Sequence, residues 1–454
     1  MLARSLRFGL IGLVLTGLTW FAVVLWWQSS PHVVSIDDVL LGFVALPVAV
    51  CVSALVGWLL WRRLSAPLAS PAVAASEPIA TAATRLPEAL VLSVGVSTAE
   101  GEYVDTVLEV IASGEARPEP DADYLDAEGM PVRLKRATEL QLDEVEDWLG
   151  ETADGLSTAF KRALALLPAA IDPVLRDLVE AMPPPVSVHA APRALPVLVR
   201  ALIPMDWTEP MTACAQRWIE HRIALFWPEA LPPVRLTAAG GGADAQTEVG
   251  AWLRDAAQMR SLLLVAFDSA ADQAAVDVLV MNGELFRHDR PEGRVPGEAA
   301  AAVLLSRPGM TLGIEPLARL RLPILAARET ASRAGGRIDS GVIEKLLAQS
   351  LEAAGCDVDQ VASVVCDGDV RPTRGVEIAS AMSHALAHLD PVTDRIGLGT
   401  ALGDLGSASA TLALALAASH TRTLQKPVVL STLADSIERS LSLLQPYTPE
   451  PATA

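Results

Sequence analysis

The sequence contains few cysteines. There are four in 454 residues, and Cys51 lies in a long apolar run near the N-terminus, which leaves Cys214, Cys356 and Cys366 in the rest of the chain. None belongs to a CxxC pair, and an odd number of cysteines cannot form a complete disulfide framework. A disulfide scaffold and a cysteine-based zinc site are therefore not expected, and the composition fits a reducing compartment.

Basic residues are scarce relative to acidic ones. The chain has 35 Lys and Arg against 54 Asp and Glu, and the first 63 residues hold four Arg and two Asp. The remaining chain therefore carries 31 basic and 52 acidic residues, a net charge of −21. Nucleic acid and anionic lipid require a cationic surface, so neither is expected as a partner, whereas a basic protein would be attracted.

Motifs for several common chemistries are also missing. The chain has no GxSxG elbow, no P-loop and no GxGxxG sequence after a predicted strand. Its seven histidines include one pair at helical spacing, His384 and His388, but the residues between them lack the Glu of an HExxH zinc motif. We interpret this pair as part of an ordinary helix face, and we predict neither a metal nor a cofactor.

Two long apolar runs lie near the N-terminus. Phe8 to Trp27 and Val39 to Trp61 are uncharged, and each is long enough for the roughly 20 residues that a helix needs to cross a bilayer. A cleaved signal peptide is the alternative for the first run. That run is longer than the roughly 7–15 apolar residues of a signal peptide, and a second run follows it, so we expect two transmembrane helices.

Charges around these runs predict their orientation. They are Arg4 and Arg7 before the first run, Asp37 and Asp38 between the runs, and Arg62 and Arg63 after the second. Cytoplasmic flanks of membrane spans carry an excess of Lys and Arg. Both ends of the anchor are therefore expected in the cytoplasm, together with the acidic region that follows.

We predict five segments along the chain. They are a membrane anchor at 1–63, a flexible tether rich in Ala, Pro and Ser at 64–86, an N-terminal α/β half at 87–235, a C-terminal half at 236–445 and a disordered tail at 446–454. The region after the tether exceeds one typical domain, so two lobes and one large α/β unit are both admissible.

Hydrophobic patterns predict alternating strands and helices in this region. Strands are predicted at 89–96, 186–188, 261–267 and 276–281, and helices at 140–166, 211–226 and 246–259. The first of these helices is expected to end at Pro168, because proline disrupts a helix interior. The alternation indicates the α/β class.

One string is more specific than the others. FRHDRPEGRVPGEAAAAVLL spans Phe286 to Leu305 and follows a glycine-rich turn, a helix and two apolar runs. It resembles the segment of β-ketoacyl synthases and other thiolase-like proteins in which FDxxRxGxxxGEGAA turns into a core strand. Gly297 and the small residues after Glu298 would let the backbone pass close to the domain centre. The resemblance implies a thiolase-like layered α/β fold.

Two later segments extend the resemblance, which covers roughly 236–444. Residues 361–367, Gly368 and a predicted helix at 375–389 are similar to the strand and loop that carry the first active-site histidine of a ketosynthase. Residues 396–398 and 399–410 are similar to the segment that carries the second histidine, and 427–431 would form the strand after it.

The resemblance does not extend to the catalytic groups. Claisen condensation needs a thiolate at a helix N-terminus and two side chains that stabilise the developing oxyanion. The matching positions hold Gly240 to Ala243 without a cysteine, Cys366-Asp367 in place of the first histidine and Gly403-Asp404 in place of the second. Carboxylates there would repel an anion, so we expect no catalytic residues and no condensing activity.

Two cysteines leave an alternative open. Cys214 lies in a TACA string that is superficially similar to the ketosynthase nucleophile motif, but bulky Gln216 and Arg217 follow where small residues are expected. We interpret Cys214 and Cys366 as buried apolar residues, and Asp404 as an acid that caps a helix start. An acyl-transfer enzyme with a displaced cysteine nucleophile is the alternative.

A membrane-anchored, thiolase-like chain without catalytic groups resembles the lipase adaptors of bacterial type VI secretion systems. This resemblance implies a multi-pass protein of the bacterial inner membrane, whose cytoplasmic region holds a phospholipase effector and loads it onto the secretion spike. Its partners would be the effector, the spike protein and the inner membrane, and two copies of the chain could pair. A membrane scaffold unrelated to secretion is the remaining alternative.

Overall fold

The computed structural model describes residues 87–182, 195–228, 231–255, 261–332 and 338–449, together with Trp20, Leu25 and Leu46. Apart from Trp20, Leu25 and Leu46, the two predicted membrane spans lie outside the described residues, as do the tether, the predicted strand at 186–188 and residues 450–454. Within the described part, no helix has both the length and the apolar character that a membrane crossing requires. The chain forms two compact units, Met1–Ala82 and Ala83–Ala454, and the second contains the elements described below.

The elements of this second unit are numbered here in chain order. The helices are α1 (Val104–Ser113), α2 (Asp143–Leu149), α3 (Thr158–Ala181), α4 (Glu209–Phe226), α5 (Asp244–Arg254), α6 (Gln273–Met281), α7 (Gly341–Ala354), α8 (Pro372–Ala385), α9 (Leu398–Leu402) and α10 (Ser409–Leu424). The strands are β1 (Glu88–Thr98), β2 (Glu119–Leu125), β3 (Pro131–Leu134), β4 (Val197–Pro204), β5 (Val234–Ala239), β6 (Ser261–Ser269), β7 (Glu298–Ser306), β8 (Ala318–Arg321), β9 (Ile324–Ala327), β10 (Ser363–Asp369), β11 (Arg395–Gly397), β12 (Val428–Thr432) and β13 (Glu438–Pro446).

One large mixed sheet organises the unit, in the order β11-β10-β12-β13-β8-β1-β7-β6-β4-β5, with β9 paired to β13. Each end repeats the same plan. In the first half, β4 pairs in parallel with β5 and β6, and β7 is antiparallel to β6 and β1. In the second half, β10 pairs in parallel with β11 and β12, and β13 is antiparallel to β12 and β8. The two halves meet where β1 and β8 pair in antiparallel fashion. The predicted junction between residues 235 and 236 lies inside β5, and the repeat begins at β8.

Side chains alternate between layers along the strands. In β6, Leu262 and Leu264 enter a central cluster that includes residues of α1, α5 and α10, whereas Leu263 and Val265 enter an outer cluster with α3 and α4. Helices α7 and α8 cover the other half in the same way. Helices therefore pack on both faces of each half, and the layered α/β arrangement predicted from the sequence is confirmed.

Residues 276–281, predicted as a strand, form the second part of helix α6. Val276 and Leu279 are three residues apart and both buried, which is the spacing of a helix face. The Asp272 carboxylate also caps this helix by accepting a hydrogen bond from Ala274 N at 2.8 Å. The prediction was wrong because a short apolar run has no periodicity that separates a strand from a buried helix.

The helix predicted at 140–166 is divided differently. Helix α2 ends at Leu149, and α3 begins after Ser157, whose hydroxyl accepts a hydrogen bond from Phe160 N at 3.2 Å. Helix α3 then runs through Pro168 and Pro173. A proline inside a helix costs about 3 kcal/mol, but α3 buries an entire apolar face, so tertiary packing outweighs that cost.

Candidate functional site

A glycine elbow joins strand β5 to helix α5. Gly241 and Gly242 have φ angles of 87° and 88°, which glycine adopts without strain. A Cβ atom at Gly241 would lie 3.0 Å from Gly406 O, and one at Gly242 would lie 3.0 Å from Asp435 Cβ. The predicted turn before the helix is therefore present, and close approach of neighbouring segments leaves little room there for a side chain.

Asp367 lies two residues before the end of strand β10 and is 3% exposed. Its Oδ1 atom accepts hydrogen bonds from the backbone N–H groups of Leu433 and Ala434. Its Oδ2 atom has no hydrogen-bond partner among the described residues. Burial raises the pKa of Asp367 to about 7 although these hydrogen bonds oppose the rise. The side chain thus braces the loop after β12.

Asp404 lies between helix α9 and the short 3₁₀ turn Gly406–Ala408. Its Oδ2 atom accepts a hydrogen bond from Arg294 Nε, and its Oδ1 atom accepts one from Gly406 N at 3.0 Å. Burial alone would raise the pKa of Asp404, but the charge and hydrogen bond of Arg294 outweigh it and hold the pKa well below its usual range. Asp404 is therefore an ionised, paired carboxylate, and its local cap at Gly406 agrees with the sequence interpretation.

The segment before β7 fixes the position of Asp404. Asp404 N donates to Val295 O at 2.7 Å, and Gly297 N donates to Asp404 O at 3.1 Å. A Cβ atom at Gly297 would lie 2.2 Å from Leu402 O, so only glycine allows these two segments to approach. The close packing predicted for this glycine is present, and it sets Arg294 beside Asp404.

Glu298, the acid of the GEAAA string, is fully buried at the start of β7. Its carboxylate accepts hydrogen bonds from Arg162 Nε at 2.9 Å, Ser269 Oγ at 2.7 Å and Ala137 N at 2.7 Å. These partners come from helix α3, strand β6 and the segment before α2. Glu298 therefore holds these segments together, and it lines neither of the two cavities described below.

A second carboxylate, Asp268, lies on the other side of the turn that follows Asp404. Its Oδ2 atom accepts a hydrogen bond from Ser407 N at 2.8 Å. Burial raises the pKa of Asp268 to about 7, although the Ser407 hydrogen bond opposes the rise, and the charges of Asp404 and Asp206 add to it. Asp268 and Asp404 thus have opposite pKa shifts, because Arg294 is bonded to one and not the other.

These elements converge on a cavity of about 310 Å³, called the central cavity below. Its wall includes Gly240, Arg294, Arg371, Asp404, Ala434 and Asp435. Arg371 forms an ion pair with Asp369, with Nη2 and Oδ2 2.6 Å apart. The structure therefore brings the predicted elbow and Asp404 together at one cavity. Asp367 is not on the wall, since its side chain is turned under the backbone of Leu433 and Ala434.

Further ion pairs lie behind this cavity. Glu377 on helix α8 accepts two hydrogen bonds from Arg439, at 2.9 Å and 2.8 Å, and both side chains are fully buried. Arg374 is also fully buried, and burial together with the charges of Arg371 and Arg439 lowers its pKa to about 10. The region around the central cavity therefore combines several ion pairs with Arg374, a buried guanidinium that forms no ion pair among the described residues.

The cysteines considered as alternative nucleophiles do not line the central cavity. Cys214 packs on helix α4 in the outer cluster of the first half, and Cys366 packs in the cluster under α7 and α8. Burial raises the pKa of the Cys214 thiol, and it raises that of Cys366 to about 11. The charges of Arg217 near Cys214 and Arg395 near Cys366 oppose these rises but do not outweigh burial, so neither thiol has the exposure and lowered pKa of a reactive cysteine.

The histidine pair is also separated. His384 lies in the last turn of helix α8 and is 3.0 Å from Glu344 Oε1, whereas His388 lies beyond the helix end and is 2.8 Å from Val361 O. The helix predicted at 375–389 begins at Pro372 and ends at Ala385. The two histidines therefore contact different partners and do not share one helix face.

Several residues of the site were not identified from the sequence. Arg294, Asp268 and Arg371 supply its ion pairs and hydrogen bonds, and Arg294 is 110 residues from the Asp404 it contacts. The available signals were weak: Asp268 follows a buried apolar run, and Arg294 lies inside the ketosynthase-like string. The fold is needed to identify which of these charged side chains contact each other.

Comparisons with known proteins concern the fold. No family model matches the chain, and no curated protein matches it. Solved ketosynthase structures do match. The ishigamide ketosynthase/chain length factor is 14% identical with a TM-score of 0.54, and the match covers 80% of this chain and 100% of that one.

Two further structures agree. The ketosynthase from module 6 of the Bacillus subtilis 168 bacillaene synthase is 11% identical with a TM-score of 0.57, over 80% of this chain and 73% of that one. A β-ketoacyl synthase from Burkholderia phymatum STM815 is 14% identical with a TM-score of 0.53, over 80% and 100%. The predicted thiolase-like architecture is confirmed: the second unit has the layered α/β fold of ketosynthases.

Proposed function

We propose that this chain is a non-catalytic adaptor at the bacterial inner membrane, which holds a type VI secretion effector in the cytoplasm and loads it onto the secretion spike. The effector would be a phospholipase. The proposal combines a thiolase-like fold, the sequence resemblance to lipase adaptors and a central cavity whose wall includes paired charges.

One observation carries the non-catalytic part of the proposal. At the positions matching a ketosynthase nucleophile and its two histidines, the chain has the Gly240 to Gly242 elbow, Asp367 and Asp404. The Asp367 carboxylate is bonded to the Leu433 and Ala434 backbone, and Asp404 is bonded to Arg294. Asp404, which Arg294 holds ionised, cannot donate a hydrogen bond to an oxyanion, and Asp367 is turned away from the central cavity. The fold would then serve as a rigid surface, because function follows from sites and not from the fold.

The alternative of a displaced cysteine nucleophile is less well supported. Cys214 is 5% exposed and Cys366 is 1% exposed, and burial raises the pKa of both thiols. An acyl thioester would have to reach a protonated sulfur inside an apolar cluster. We therefore expect Cys214→Ser and Cys366→Ser variants to keep full function.

The small lobe formed by the β2–β3 hairpin and helix α6 is the first place to look for effector contacts. Tyr124, Val132 and Leu279 form its core. Large apolar side chains on the same lobe remain exposed, with Met281 at 79%, Met130 at 61% and Val278 at 50%. Val278 and Met281 lie three residues apart, on one face of helix α6, and contiguous exposed apolar surface is typical of protein-binding sites. A basic effector would also be attracted by the negative charge.

A secretion assay in the source bacterium tests the adaptor role. Deletion of the gene is expected to abolish export of the phospholipase effector while its cytoplasmic amount and lipase activity persist. The full-length chain and its Cys214→Ser and Cys366→Ser variants should restore export. Unchanged export in the deletion strain would refute the proposal.

A matched pair of variants tests the lobe. Val278→Glu with Met281→Glu should reduce effector export and effector capture by the purified full-length chain. Val376→Glu, which alters a valine of similar exposure on helix α8 that lines neither of the two cavities, is the control and should have no effect. If both variants behave like the original chain, the effector binds another surface, and the adaptor role itself is judged by the deletion strain.

The proposed topology has its own test. Protease added to spheroplasts should leave residues 87–449 intact, and degradation should require rupture of the inner membrane. Cleavage of this region from outside intact membranes would overturn the cytoplasmic loading role.

A further inference from the structure

A second cavity, of about 480 Å³, shares no lining residue with the central cavity. Its walls come from the end of α1 and the following loop, from β3, from β11 and α9, and from the string before β7. We name it the arginine cavity after Arg117, Arg133 and Arg395, which all line it. A volume between about 300 and 1,000 Å³ is typical of small-molecule sites in proteins.

The three arginines have no carboxylate partner among the described residues. Arg294, Arg371 and Arg439, around the central cavity, each form an ion pair. In the arginine cavity, Arg133 instead lies over the Phe286 ring, with its Cζ atom 5.9 Å from the ring centre. The positive charges of this cavity are therefore not neutralised by neighbouring side chains.

Arg395 is the most buried of the three. Its Nη1 atom lies 3.5 Å from Gly375 O, a marginal hydrogen bond, and its Nε atom is shielded from solvent without any hydrogen-bond partner among the described residues. A buried guanidinium N–H without an acceptor is costly. Arg117 and Arg133 are more exposed. The cavity thus offers one deep donor group and two outer ones.

The remaining lining is apolar or small. It includes Ile111, Phe286, Val295 and Val370, and no Asp or Glu is part of it. The chain as a whole has 54 acidic residues against 35 basic ones. In so acidic a chain, a cavity lined by three arginines and by no acid selects for an anion. Its apolar walls would hold the uncharged part of the same ligand.

We propose that the arginine cavity binds a small organic anion, with a carboxylate or phosphate group on an apolar body. Guanidinium groups recognise both anions through paired N–H donors, which explains the convergence of three arginines. The anion would supply the acceptor that Arg395 Nε lacks. This inference stands whether or not the chain acts as an adaptor.

Calorimetric titration of the full-length chain in nonionic detergent tests the proposal. The probes are benzoate, phenyl phosphate and uncharged benzamide. At least one anion should bind saturably with one site per chain, and benzamide should not. Saturation by phenyl phosphate alone would assign a phosphate ligand, and saturation by benzoate alone would assign a carboxylate.

Matched variants locate the site. Arg117→Gln, Arg133→Gln and Arg395→Gln should each weaken binding about tenfold or more, since each removes a charged hydrogen-bond donor. Arg422→Gln removes the same charge from an exposed position on helix α10 and should leave binding unchanged. If Arg395→Gln fails to fold, the Arg117→Gln/Arg133→Gln double variant carries the test, because both side chains are exposed.

Three results would overturn the inference. The first is no saturable binding of either anion up to its solubility limit. The second is equally tight binding of benzamide, which would show that the cavity does not select for a negative charge. The third is unchanged binding by the folded Arg117→Gln/Arg133→Gln double variant.

Discussion

The two cavities of the second unit use arginine in different ways. In the central cavity, Arg294 and Arg371 are paired with Asp404 and Asp369. In the arginine cavity, Arg117, Arg133 and Arg395 have no acidic partner among the described residues and no acid in the lining. Paired charges hold segments in place and leave little for a ligand to bind, whereas unpaired cations remain available to an external anion. The central cavity is thus the less suited of the two to a new ligand.

The largest expected effect is the change in stability with pH that is caused by two buried acids near the central cavity. Burial raises the pKa of Asp268 and Asp367 to about 7, so the folded chain keeps protons that the unfolded chain loses near pH 4. Stability should therefore fall as pH rises from about 4 to 7, by up to about 1.4 kcal/mol per pH unit for each group. Urea unfolding of the full-length chain at several pH values measures this slope.

Asparagine variants isolate the contribution of each acid. Between pH 4 and 7, the free energy of unfolding of Asp268→Asn and of Asp367→Asn should fall less steeply than that of the original chain. Relative to the original chain, both variants should therefore gain stability as the pH approaches 7. Parallel pH profiles for variant and original chains would contradict the raised pKa values. Arg422→Gln should keep the original profile and serves as the control.

The next effect comes from breaking the ion pair of the central cavity. Arg294→Gln leaves the Asp404 carboxylate without its cation and should destabilise the fold by about 2–3 kcal/mol in urea unfolding at neutral pH. This is below the roughly 3–5 kcal/mol of a fully buried pair, because the Arg294 side chain is 34% exposed. Adding Asp404→Asn should recover part of the loss, since the orphaned charge is removed.

Substitutions in the arginine cavity should have the smallest effect on the stability of the fold. Arg117→Gln and Arg133→Gln break no ion pair, so each should change the free energy of unfolding by less than about 0.5 kcal/mol. The same urea titration measures it. A loss as large as that of Arg294→Gln would mean that these arginines are structural, and the contrast between the two cavities would disappear.

The sequence predicted those parts of the site that depend on local pattern. The glycine elbow before α5, the close packing at Gly297 and the positions of Asp367 and Asp404 after strand and turn signals all follow from short stretches of chain. The thiolase-like fold was inferred from the string ending in Glu298. These features need no knowledge of distant contacts.

The remaining parts depend on contacts between distant residues. Arg294 and Asp404 are brought together only by the pairing of two loops, and Arg117, Arg133 and Arg395 converge only through the fold. Local rules also failed where tertiary packing outweighs them. Pro168 lies inside α3, and the apolar residues of α6 form a helix, because burial against neighbouring elements decides both.

Intact mass spectrometry tests the central claim most directly. The full-length chain is incubated with short and medium acyl thioesters of N-acetylcysteamine, alongside a working ketosynthase as a positive control. Because the elbow has no nucleophile and Cys214 and Cys366 are buried with raised pKa values, the mass of this chain should remain unchanged while the control gains one acyl group. A stoichiometric acyl adduct on any residue would show that the cavity or a displaced cysteine still performs acyl transfer, and would contradict the non-catalytic role.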